Sequence, residues 1–597
     1  MERGPVSRLL VANRGEIAVR IMRAARTLGI ATVAIYGPGE ERARHVRLAT
    51  DAWRLPPPRS GGPVVPYLDV DAIVDAARKS GADAIHPGYG FLSENAAFAL
   101  ACEAAGLTFV GPPAAVIAAM GDKVEARRIA AAAGVPIVPG TDGPVDSVGA
   151  ARDWADRNGY PVAVKASGGG GGRGFRVAPS AGQLESAWNE SSGEAARFFN
   201  DPTVYLERYV ANPRHVEIQI FADRHGHVVS LGERDCSIQR RHQKLVEESP
   251  SPAVDAELRV VMGAAAVSLA QRTGYVGAGT VEFLLDDQGQ FSFLEINTRI
   301  QVEHPVTELV TGIDLVREQL LVAMGRPLSF TSDDVTLHGH AIECRINAED
   351  PARGFAPAPG TIGQYAEPGG FGVRVDSAAE AGMEILPDYD SMIAKLIVWG
   401  RDREEAVDRM AAALDGFTVG GVTTTIPLHR RIMAEPDFRA GRATTAYLPN
   451  HPDLIRDLGT DGLEPGASTG EDPVETVLVE VNGRRLTVAV RGLGGGPEAE
   501  RRPAPRSGAP APRRPGPSAG RAAAGPELTS TIQGTVVRVP VAVDQVVAAG
   551  DVAVVISAMK MENEVAFATG GRVTALHVST GQAVRVGTPL VTVVPET

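Results

Sequence analysis

The stretch Ala558-Met559-Lys560-Met561 lies near the C-terminus, at the centre of an internal repeat with a period of about 37 residues. The repeat pairs three turn residues of the first half with three of the second, namely Gly534, Gln545 and Gly550 with Gly571, Gln582 and Gly587. Between the turns apolar and polar residues alternate, which predicts short β-strands. A repeat of this kind indicates one supersecondary unit used twice. We therefore predict a small, flattened all-β barrel with Lys560 on a turn between its halves.

The methionines on either side of Lys560 distinguish this turn from an ordinary surface hairpin. The sequence A-M-K-M-E-N-E at 558–564 resembles the biotin attachment site of biotin carboxyl carrier domains. Lipoyl domains share the doubled fold, but their lysine usually lacks flanking methionines. The resemblance covers roughly 528–594 and departs from the family at Ile532-Gln533. It implies that biotin is bound covalently to Lys560 and that a biotin protein ligase is a partner.

The composition of the whole chain limits its function class. A length of 597 residues predicts about four domains, and a net charge of −13 disfavours non-specific nucleic-acid binding. Three cysteines lie far apart without C-x-x-C spacing, which suits a reducing cytosol. The N-terminus has no signal-peptide pattern, and no run of 18 apolar residues occurs. We expect a cytoplasmic protein that binds neither nucleic acid nor a membrane.

The N-terminal segment alternates strands and helices. Residues 9–12 and 31–36 predict strands, and residues 15–28 predict a helix that ends at Gly29. This order predicts an open parallel, Rossmann-like sheet, although no G-x-G-x-x-G follows the first strand. The motifs V-A-N-R-G-E-I-A-V-R at 11–20 and H-P-G-Y-G-F-L-S-E-N at 86–95 resemble the N-terminal domain of biotin carboxylases.

Five consecutive glycines at 168–172 follow a predicted strand at 161–165. Such a run is expensive to order, so it predicts either a flexible linker or a mobile loop whose N–H groups close over phosphates. Lys123 and Lys165 favour the nucleotide lid. The sequence K-A-S-G-G-G-G-G-R-G at 165–174 resembles the lid of the ATP-grasp fold. The resemblance implies ATP contacts from Gly170, Gly171 and Gly172.

Glu282 and Glu295 lie in two apolar segments, 281–285 and 291–296, that predict a β-hairpin. The hairpin sets both carboxylates side by side, and Asn297 can join them. Mg²⁺ is a hard cation that prefers oxygen ligands of this kind. We therefore predict a site for Mg²⁺, or Mn²⁺, formed by these three residues.

Carboxylation of a urea-type nitrogen requires activated bicarbonate, loss of a proton from the nitrogen and stabilisation of the enolate that this loss produces. Arg299 has a planar guanidinium that fits bicarbonate, and Glu303 is a candidate general base beside it. Arg345 is the candidate that stabilises the biotin enolate. Lys244 is a candidate for binding phosphate or carboxyphosphate.

Three longer motifs look like those of biotin carboxylases, namely R-H-V-E-I-Q at 214–219, E-R-D-C-S-I-Q-R-R-H-Q-K at 233–244 and E-I-N-T-R-I-Q-V-E-H-P-V-T-E at 295–308. The resemblance covers about 6–447. It implies that ATP and metal are bound by Lys123, Lys165, Glu207, His215, Gln239, His242, Glu282, Glu295 and Asn297. It implies that bicarbonate and biotin are bound by Lys244, Arg299, Gln301, Val302, Glu303 and Arg345. Outside these roles, Cys236 is interpreted as structural, and the isolated histidines His45, His227 and His577 are expected at the surface.

The segments divide the chain into α/β and α+β parts followed by a linker and an all-β barrel. The predicted boundaries are 1–118 for the N-terminal domain, 119–203 for the ATP-grasp lid region, 204–450 for the mixed C-terminal domain, 451–491 for a connecting segment, 492–526 for a flexible Pro/Ala/Gly-rich linker and 527–597 for the carrier barrel. The connecting segment contains one predicted hairpin, because Asn482-Gly483 favours a type I′ turn between two alternating strands.

This organisation resembles the α subunit of acetyl- or propionyl-CoA carboxylases. The resemblance implies that the chain carboxylates biotin with ATP and bicarbonate and supplies carboxybiotin to a separate carboxyltransferase β subunit. It also implies a hetero-oligomer with several α and β chains and a role in fatty acid biosynthesis. Three alternatives stay open: a non-catalytic carrier or scaffold paralogue, an α subunit for another substrate such as methylcrotonoyl-CoA, and an ATP-grasp ligase with a lipoyl arm.

Overall fold

The computed structural model describes residues 6–57, 65–167, 174–199, 201–387, 389–456, 458, 474–481, 484–491, 527–530, 534–558, 561–584 and 587–594. Lys560, Gly170, Gly171 and Gly172 lie outside the described residues, as do the predicted linker 492–526 and the Asn482-Gly483 turn. Within the described ranges, no helix has the combination of length and apolar character that a bilayer span requires. Short 3₁₀ turns occur at Pro66–Leu68, Ser332–Asp334 and Pro351–Arg353.

The N-terminal part is the predicted open parallel sheet with helices. Its elements are β1 Arg8–Val11, α1 Gly15–Thr27, β2 Ala31–Tyr36, α2 Arg44–Leu48, β3 Asp51–Arg54, α3 Val70–Ser80, β4 Ala84–His86, α4 Ala96–Ala104, β5 Thr108–Phe109 and α5 Ala114–Gly121. The strand order is β3-β2-β1-β4-β5, and every pair is parallel. Leu9 and Leu10 are fully buried in two different apolar clusters, because successive side chains of a strand point to opposite faces. The parallel α/β prediction is confirmed.

The segment that carries the glycine run forms a small antiparallel sheet. Its elements are α6 Lys123–Ala132, α7 Val148–Asn158, β6 Val162–Ala166, β7 Phe175–Ala178, α8 Ala181–Phe199 and β8 Val204–Arg208. The order is β7-β6-β8, and both pairs are antiparallel. The glycine run therefore joins two adjacent strands, β6 and β7.

The central sheet has eight antiparallel strands in the order β13-β12-β9-β10-β11-β14-β21-β19. The elements of this part are β9 Arg214–Ala222, β10 Val228–Arg240, β11 Gln243–Ser249, α9 Ala256–Thr273, β12 Gly277–Leu285, β13 Phe291–Asn297, α10 His304–Thr311, α11 Leu315–Ala323, β14 His340–Asn347, β15 Glu349–Asp350, β16 Ala356–Pro357, β17 Gly360–Thr361, β18 Gln364–Ala366, β19 Val373–Ser377, β20 Glu384–Ile385, β21 Met392–Gly400, α12 Arg403–Gly416, β22 Thr418–Gly420, α13 Ile426–Ala434, α14 Pro436–Arg439, α15 Tyr447–Asn450 and α16 Asp453–Arg456. One continuous sheet thus carries the predicted metal hairpin, Lys244 and Arg345.

The C-terminal strands form the predicted hairpin and the predicted doubled barrel. They are β23 Val474–Val481, β24 Arg484–Arg491, β25 Glu527–Thr529, β26 Gly534–Arg538, β27 Val546–Val547, β28 Val552–Ala558, β29 Met561–Ala566, β30 Gly571–Leu576, β31 Ala583–Val584 and β32 Pro589–Val594. β23 and β24 pair with each other, antiparallel. The barrel has two four-stranded sheets, β25-β32-β30-β27 and β29-β28-β26-β31. At the tip of β28 and β29, Ala558 pairs with Met561, so the two residues between them include Lys560.

Candidate active site

The predicted hairpin that carries Glu282 and Glu295 is present as β12 and β13. Glu282 pairs with Glu295 across the strands, and Thr280 pairs with Asn297. Directly opposed residues of an antiparallel pair lie on the same face of the sheet. The Asn297 Nδ2 donates to Glu282 Oε1 at 2.9 Å, and the Lys123 Nζ lies 3.5 Å from Glu295 Oε2. Two carboxylates and one amide oxygen on one face form a donor set that fits Mg²⁺.

The Lys244 ammonium occupies the centre of a buried carboxylate cluster. Its Nζ donates to Glu217 Oε2 at 2.5 Å, to Glu282 Oε1 at 2.9 Å and to Glu303 Oε1 at 2.6 Å. Burial alone would lower the pKa of Lys244, but the carboxylates of Glu217, Glu282 and Glu303 raise it well above the ordinary value. Lys244 is therefore a fixed cation at neutral pH.

Glu303 lies between two cations. Its Oε1 accepts from Lys244, and its Oε2 accepts from the Arg345 NH2 at 2.9 Å. Burial raises the pKa of Glu303, but Lys244, Arg345 and Arg234 lower it further than burial raises it. The side chain is consequently a carboxylate throughout the physiological pH range, oriented at both oxygens. Arg345 is also held from the other side, since its Nε donates to Glu247 Oε1 at 2.5 Å.

Arg299 is fixed by three side-chain acceptors. Its Nε donates to Glu94 Oε2, its NH1 to Gln301 Oε1 and its NH2 to Asn297 Oδ1, each at 2.9 Å. Glu94 belongs to the N-terminal H-P-G-Y-G-F-L-S-E-N motif, so this contact joins two distant motifs. Sequence reasoning did not assign a role to Glu94, because nothing local to it indicates a partner 205 residues away.

The two predicted phosphate-binding lysines occupy different surroundings. Lys165 is ion-paired with Glu207, and Glu207 also pairs with Arg127, a residue that the sequence interpretation missed. The Arg127 NH2 donates to the Val138 carbonyl at 3.0 Å. Glu207 is thus held by two cations in the lid region, whereas Lys123 faces Glu295 of the hairpin.

His215, Gln239 and His242 lie around the same cluster. The His215 Nε2 is 3.0 Å from Glu282 Oε2; burial lowers the pKa of His215, but Glu282 outweighs burial and raises it. Gln239 pairs in register with Lys244. Arg241 and His242 connect β10 to β11 with φ values of 48° and 66°, as in a type I′ turn. Non-glycine residues held in this region cluster at functional sites. Burial lowers the pKa of His242, and its ring lies 6.0 Å from the Phe175 ring.

A second layer of buried polar residues supports Lys244 and was not assigned from the sequence. Arg234 is fully buried and donates to Glu217 Oε1 at 2.6 Å, to Gln219 Oε1 at 2.6 Å and to Thr307 Oγ1 at 3.0 Å. The available signal was the alternation of His215, Glu217 and Gln219 in an otherwise apolar strand. That period of two indicates one polar face of a buried strand.

The remaining sequence expectations concern Cys236 and three isolated histidines. Cys236 is buried and unpaired, and burial raises its pKa well above the ordinary value. The expectation that His45 lies at the surface is wrong, because its side chain is 1% exposed. Burial lowers the pKa of His45 to about 4. His227 and His577 have side chains that are 64% and 35% exposed.

Four family models match the chain. They are the biotin carboxylase N-terminal domain at 5–117, the ATP-binding domain of the carbamoyl-phosphate synthase L chain at 122–331, the biotin carboxylase C-terminal domain at 343–450, and a model described as biotin-requiring enzyme at 524–593. Together they span the three regions that carry the cluster and the region that carries the doubled barrel.

Individual proteins and structures match as well. The chain is 44% identical over 602 residues to the biotin-dependent acyl-coenzyme A carboxylase alpha3 subunit of Mycobacterium leprae, covering 98% of each chain. It is 53% identical to biotin carboxylase 1 of Bacillus subtilis, over 75% of this chain and 99% of that one. The biotin carboxylase domain of Hydrogenobacter thermophilus 2-oxoglutarate carboxylase, solved with MgADP, ADP and bicarbonate, is 50% identical with a TM-score of 0.73, covering 76% of this chain and 99% of that one.

Proposed function

Because this chain belongs to the biotin carboxylase family and is an acyl-CoA carboxylase α subunit with its own biotinyl domain, we propose that the cluster of Lys244, Glu303 and Arg345 is where bicarbonate loses its proton and biotin is carboxylated. The observation that supports this proposal is the position of the Glu303 carboxylate, which is held by Lys244 on one oxygen and Arg345 on the other. A base fixed in this way needs no rotation to meet a substrate placed between the two cations.

We assign ATP binding to the lid region and the adjoining end of the central sheet. The proposed ATP-binding residues are Lys123, Lys165, Gly170, Gly171, Gly172, Glu207, His215, Gln239 and His242. Glu282, Glu295 and Asn297 would hold Mg²⁺ or Mn²⁺, which neutralises phosphate charge during phosphoryl transfer. Lys244 stays positively charged beside Glu282. There it can bind the transferred phosphoryl group or carboxyphosphate.

Bicarbonate binding falls to Arg299 with Gln301, Val302 and Lys244. In the structure Arg299 is already oriented by Asn297, Gln301 and Glu94, so its planar guanidinium is presented in one orientation. Glu303 then accepts the bicarbonate proton on a carboxylate oxygen. A bound anion raises the pKa of a neighbouring carboxylate, so the proton affinity of Glu303 increases when bicarbonate and ATP are present.

Arg345 acts at the biotin stage. Its guanidinium stabilises the negative charge that develops on the ureido oxygen as the ureido nitrogen gives its proton to the phosphate that leaves carboxyphosphate. The nitrogen bonds to the carboxyl carbon, and the bond between that carbon and the phosphate oxygen breaks. Glu247 accepts a hydrogen bond from the Arg345 Nε and so orients the guanidinium with its NH2 group facing Glu303. The biotin is carried on Lys560, and the carrier delivers it to this site.

The chain is expected to work with a second subunit and with the enzyme that attaches biotin. An α subunit works with a carboxyltransferase partner; we propose a separate β subunit that chooses the acyl-CoA, within a hetero-oligomer of several α and β chains. Biotin protein ligase would modify Lys560. The three unpaired cysteines suit a cytoplasmic location, and the acetyl- or propionyl-CoA type of subunit suits fatty acid biosynthesis. We also propose the domain boundaries predicted from the sequence, with a flexible linker at 492–526 between the carboxylase part and the carrier.

The deciding experiment measures ADP release by the purified chain with and without bicarbonate and free biotin, together with avidin blotting. Release that requires bicarbonate and increases with free biotin supports the proposed site. Avidin labelling without bicarbonate-dependent ADP release would instead indicate a non-catalytic carrier. ADP release without avidin labelling would favour a ligase with a lipoyl arm.

A further inference from the structure

Lys395 is a fully buried lysine that has no part in the steps described above. It lies in β21, and its side chain is 0% exposed. An ammonium without a partner would cost several kcal/mol to bury, so its contacts must account for its presence. Burial lowers the pKa of Lys395, but the carboxylates of Glu16, Glu343 and Asp376 outweigh burial and raise it. The side chain is therefore a buried cation.

One contact of this cation reaches the catalytic segment directly. The Lys395 Nζ donates to the carbonyl oxygen of Val302 at 2.8 Å. That carbonyl belongs to the peptide bond between Val302 and Glu303. Because a peptide unit is planar, a hydrogen bond to its oxygen fixes the direction in which the Glu303 Cα leaves the segment. The position of the Glu303 carboxylate follows from that direction.

The second contact joins the cation to the N-terminal part of the chain. The Lys395 Nζ lies 3.2 Å from Glu16 Oε1, and Glu16 on α1 also accepts from the Tyr89 hydroxyl. Lys395 also pairs in register with Arg345 across β14 and β21. Residues opposed in this way lie on one face of the sheet. One side chain thus connects α1, the segment before Glu303 and the strand pair that carries Arg345.

We propose that Lys395 is a positioning residue for bicarbonate deprotonation, which holds the Val302–Glu303 peptide so that Glu303 reaches both Lys244 and Arg345. This inference rests on the proposed role of Glu303 as the base. Lys395 touches neither bicarbonate nor biotin in this scheme, and the Glu16 carboxyl group lies 3.2 Å from its ammonium. A misplacement of about 1 Å at a reacting group can cost on the order of 100-fold in rate.

A double-mutant cycle tests the proposal in the full-length, biotinylated protein. Lys395→Met removes the charge and the hydrogen bond while keeping a similar shape. We expect at least a tenfold fall in kcat for bicarbonate-dependent ATP cleavage, with the ATP dissociation constant changed less than twofold. In the Glu303→Gln background, the same substitution should change kcat less than twofold, because the group that it positions is gone. Lys79→Met, at an exposed lysine, is the matched control and should leave kcat unchanged.

Several outcomes separate this role from a purely structural one. Equal losses of ATP affinity and kcat, or losses that multiply in the double variant, would overturn the proposal. If Lys395→Met does not fold, Lys395→Arg and Glu16→Gln enter the same cycle, with the same non-additivity expected. The wild-type rate, measured alongside, tests the proposed function separately: a wild type without bicarbonate-dependent cleavage would overturn both ideas, whereas an active wild type with additive variants would overturn only the role of Lys395.

Discussion

The central sheet and the carrier barrel are both antiparallel and both have apolar cores, yet they differ in the charged side chains that they bury. The apolar cluster of the described barrel residues consists of valine, isoleucine, leucine, alanine and phenylalanine, including Val554, Ile556 and Val591. The central sheet buries Glu217, Arg234 and other charged residues at 0% exposure. Buried ions carry a desolvation penalty that attraction between them only partly offsets. Buried charge in the central sheet fits the proposed carboxylation chemistry there, whereas the proposed function of the barrel depends on the single residue Lys560, which needs no buried charge.

The largest effect is expected from Lys560→Arg, which tests whether the function of the barrel depends on this one residue. Arginine keeps the positive charge but stays protonated and resists acylation. Avidin labelling and acyl-CoA carboxylation in the assembled complex should be abolished, while carboxylation of free biotin stays at the wild-type rate. Any avidin signal that persists in this variant would move the attachment site elsewhere.

Next in size are two core substitutions that break the two interiors in different ways. Arg234→Leu leaves Glu217 buried without its guanidinium partner and should cost about 3–5 kcal/mol of stability in the central sheet. Ile556→Ala should cost the carrier about 2–5 kcal/mol through lost packing. Hydrogen–deuterium exchange resolved by peptide should locate each loss in its own region. Carboxylation of free biotin should survive Ile556→Ala and fall in Arg234→Leu. A fall in both variants would show that the stability of the central sheet depends on the barrel.

A smaller loss is expected from Glu303→Gln, which keeps the shape of the base and removes its proton affinity. Bicarbonate-dependent ATP cleavage should fall by roughly 100-fold or more, as is typical when a general base is lost. Glu125→Gln, at a half-exposed glutamate of α6 that is ion-paired with Arg128, serves as the control and should retain the full rate. A Glu303→Gln rate within threefold of the wild type would assign the base to another group.

The smallest effect is a pH dependence of stability, and it comes from His45, a buried histidine of the N-terminal part. The pKa of His45 is about 4 in the folded chain, below its ordinary value of 6.5. The unfolded chain therefore binds more protons between these values, and stability falls as the pH drops from about 6.5 to about 4. His45→Gln should remove about 1–3 kcal/mol of this dependence. Denaturant unfolding at several pH values measures it.

Local patterns predicted much of the fold. The β12–β13 hairpin, the helix that ends before Gly29 and the paired strands on either side of Asn482-Gly483 all follow from periodicity and turn residues within a few positions of one another. The doubled barrel followed from the repeat for the same reason. The Arg241-His242 turn did not, because neither residue is a usual type I′ turn residue, and their left-handed backbone is imposed by the surrounding strands.

Contacts between distant segments could not be predicted from one sequence. Glu94 with Arg299, Arg234 with Glu217 and Lys395 with Val302 each depend on how separate strands and loops come together after folding. The surface expectation for His45 failed for the same reason. An isolated histidine has no pattern that reveals its burial, and here its side chain lies near the Glu40 carboxylate and the Ile35 backbone.

The sequence by itself determined the residue types that the proposed chemistry needs, the order of the elements and the strand pair on either side of Lys560, because spacing, alternation and turn residues act over short distances. The tertiary structure decided which charges meet. It placed Glu303 between Lys244 and Arg345, and it set Lys395 beneath them, since strand register determines which side chains share a buried face. In a buried site the energy of a charge depends on its neighbours within a few ångströms, and here those neighbours come from segments 42 to 93 residues apart.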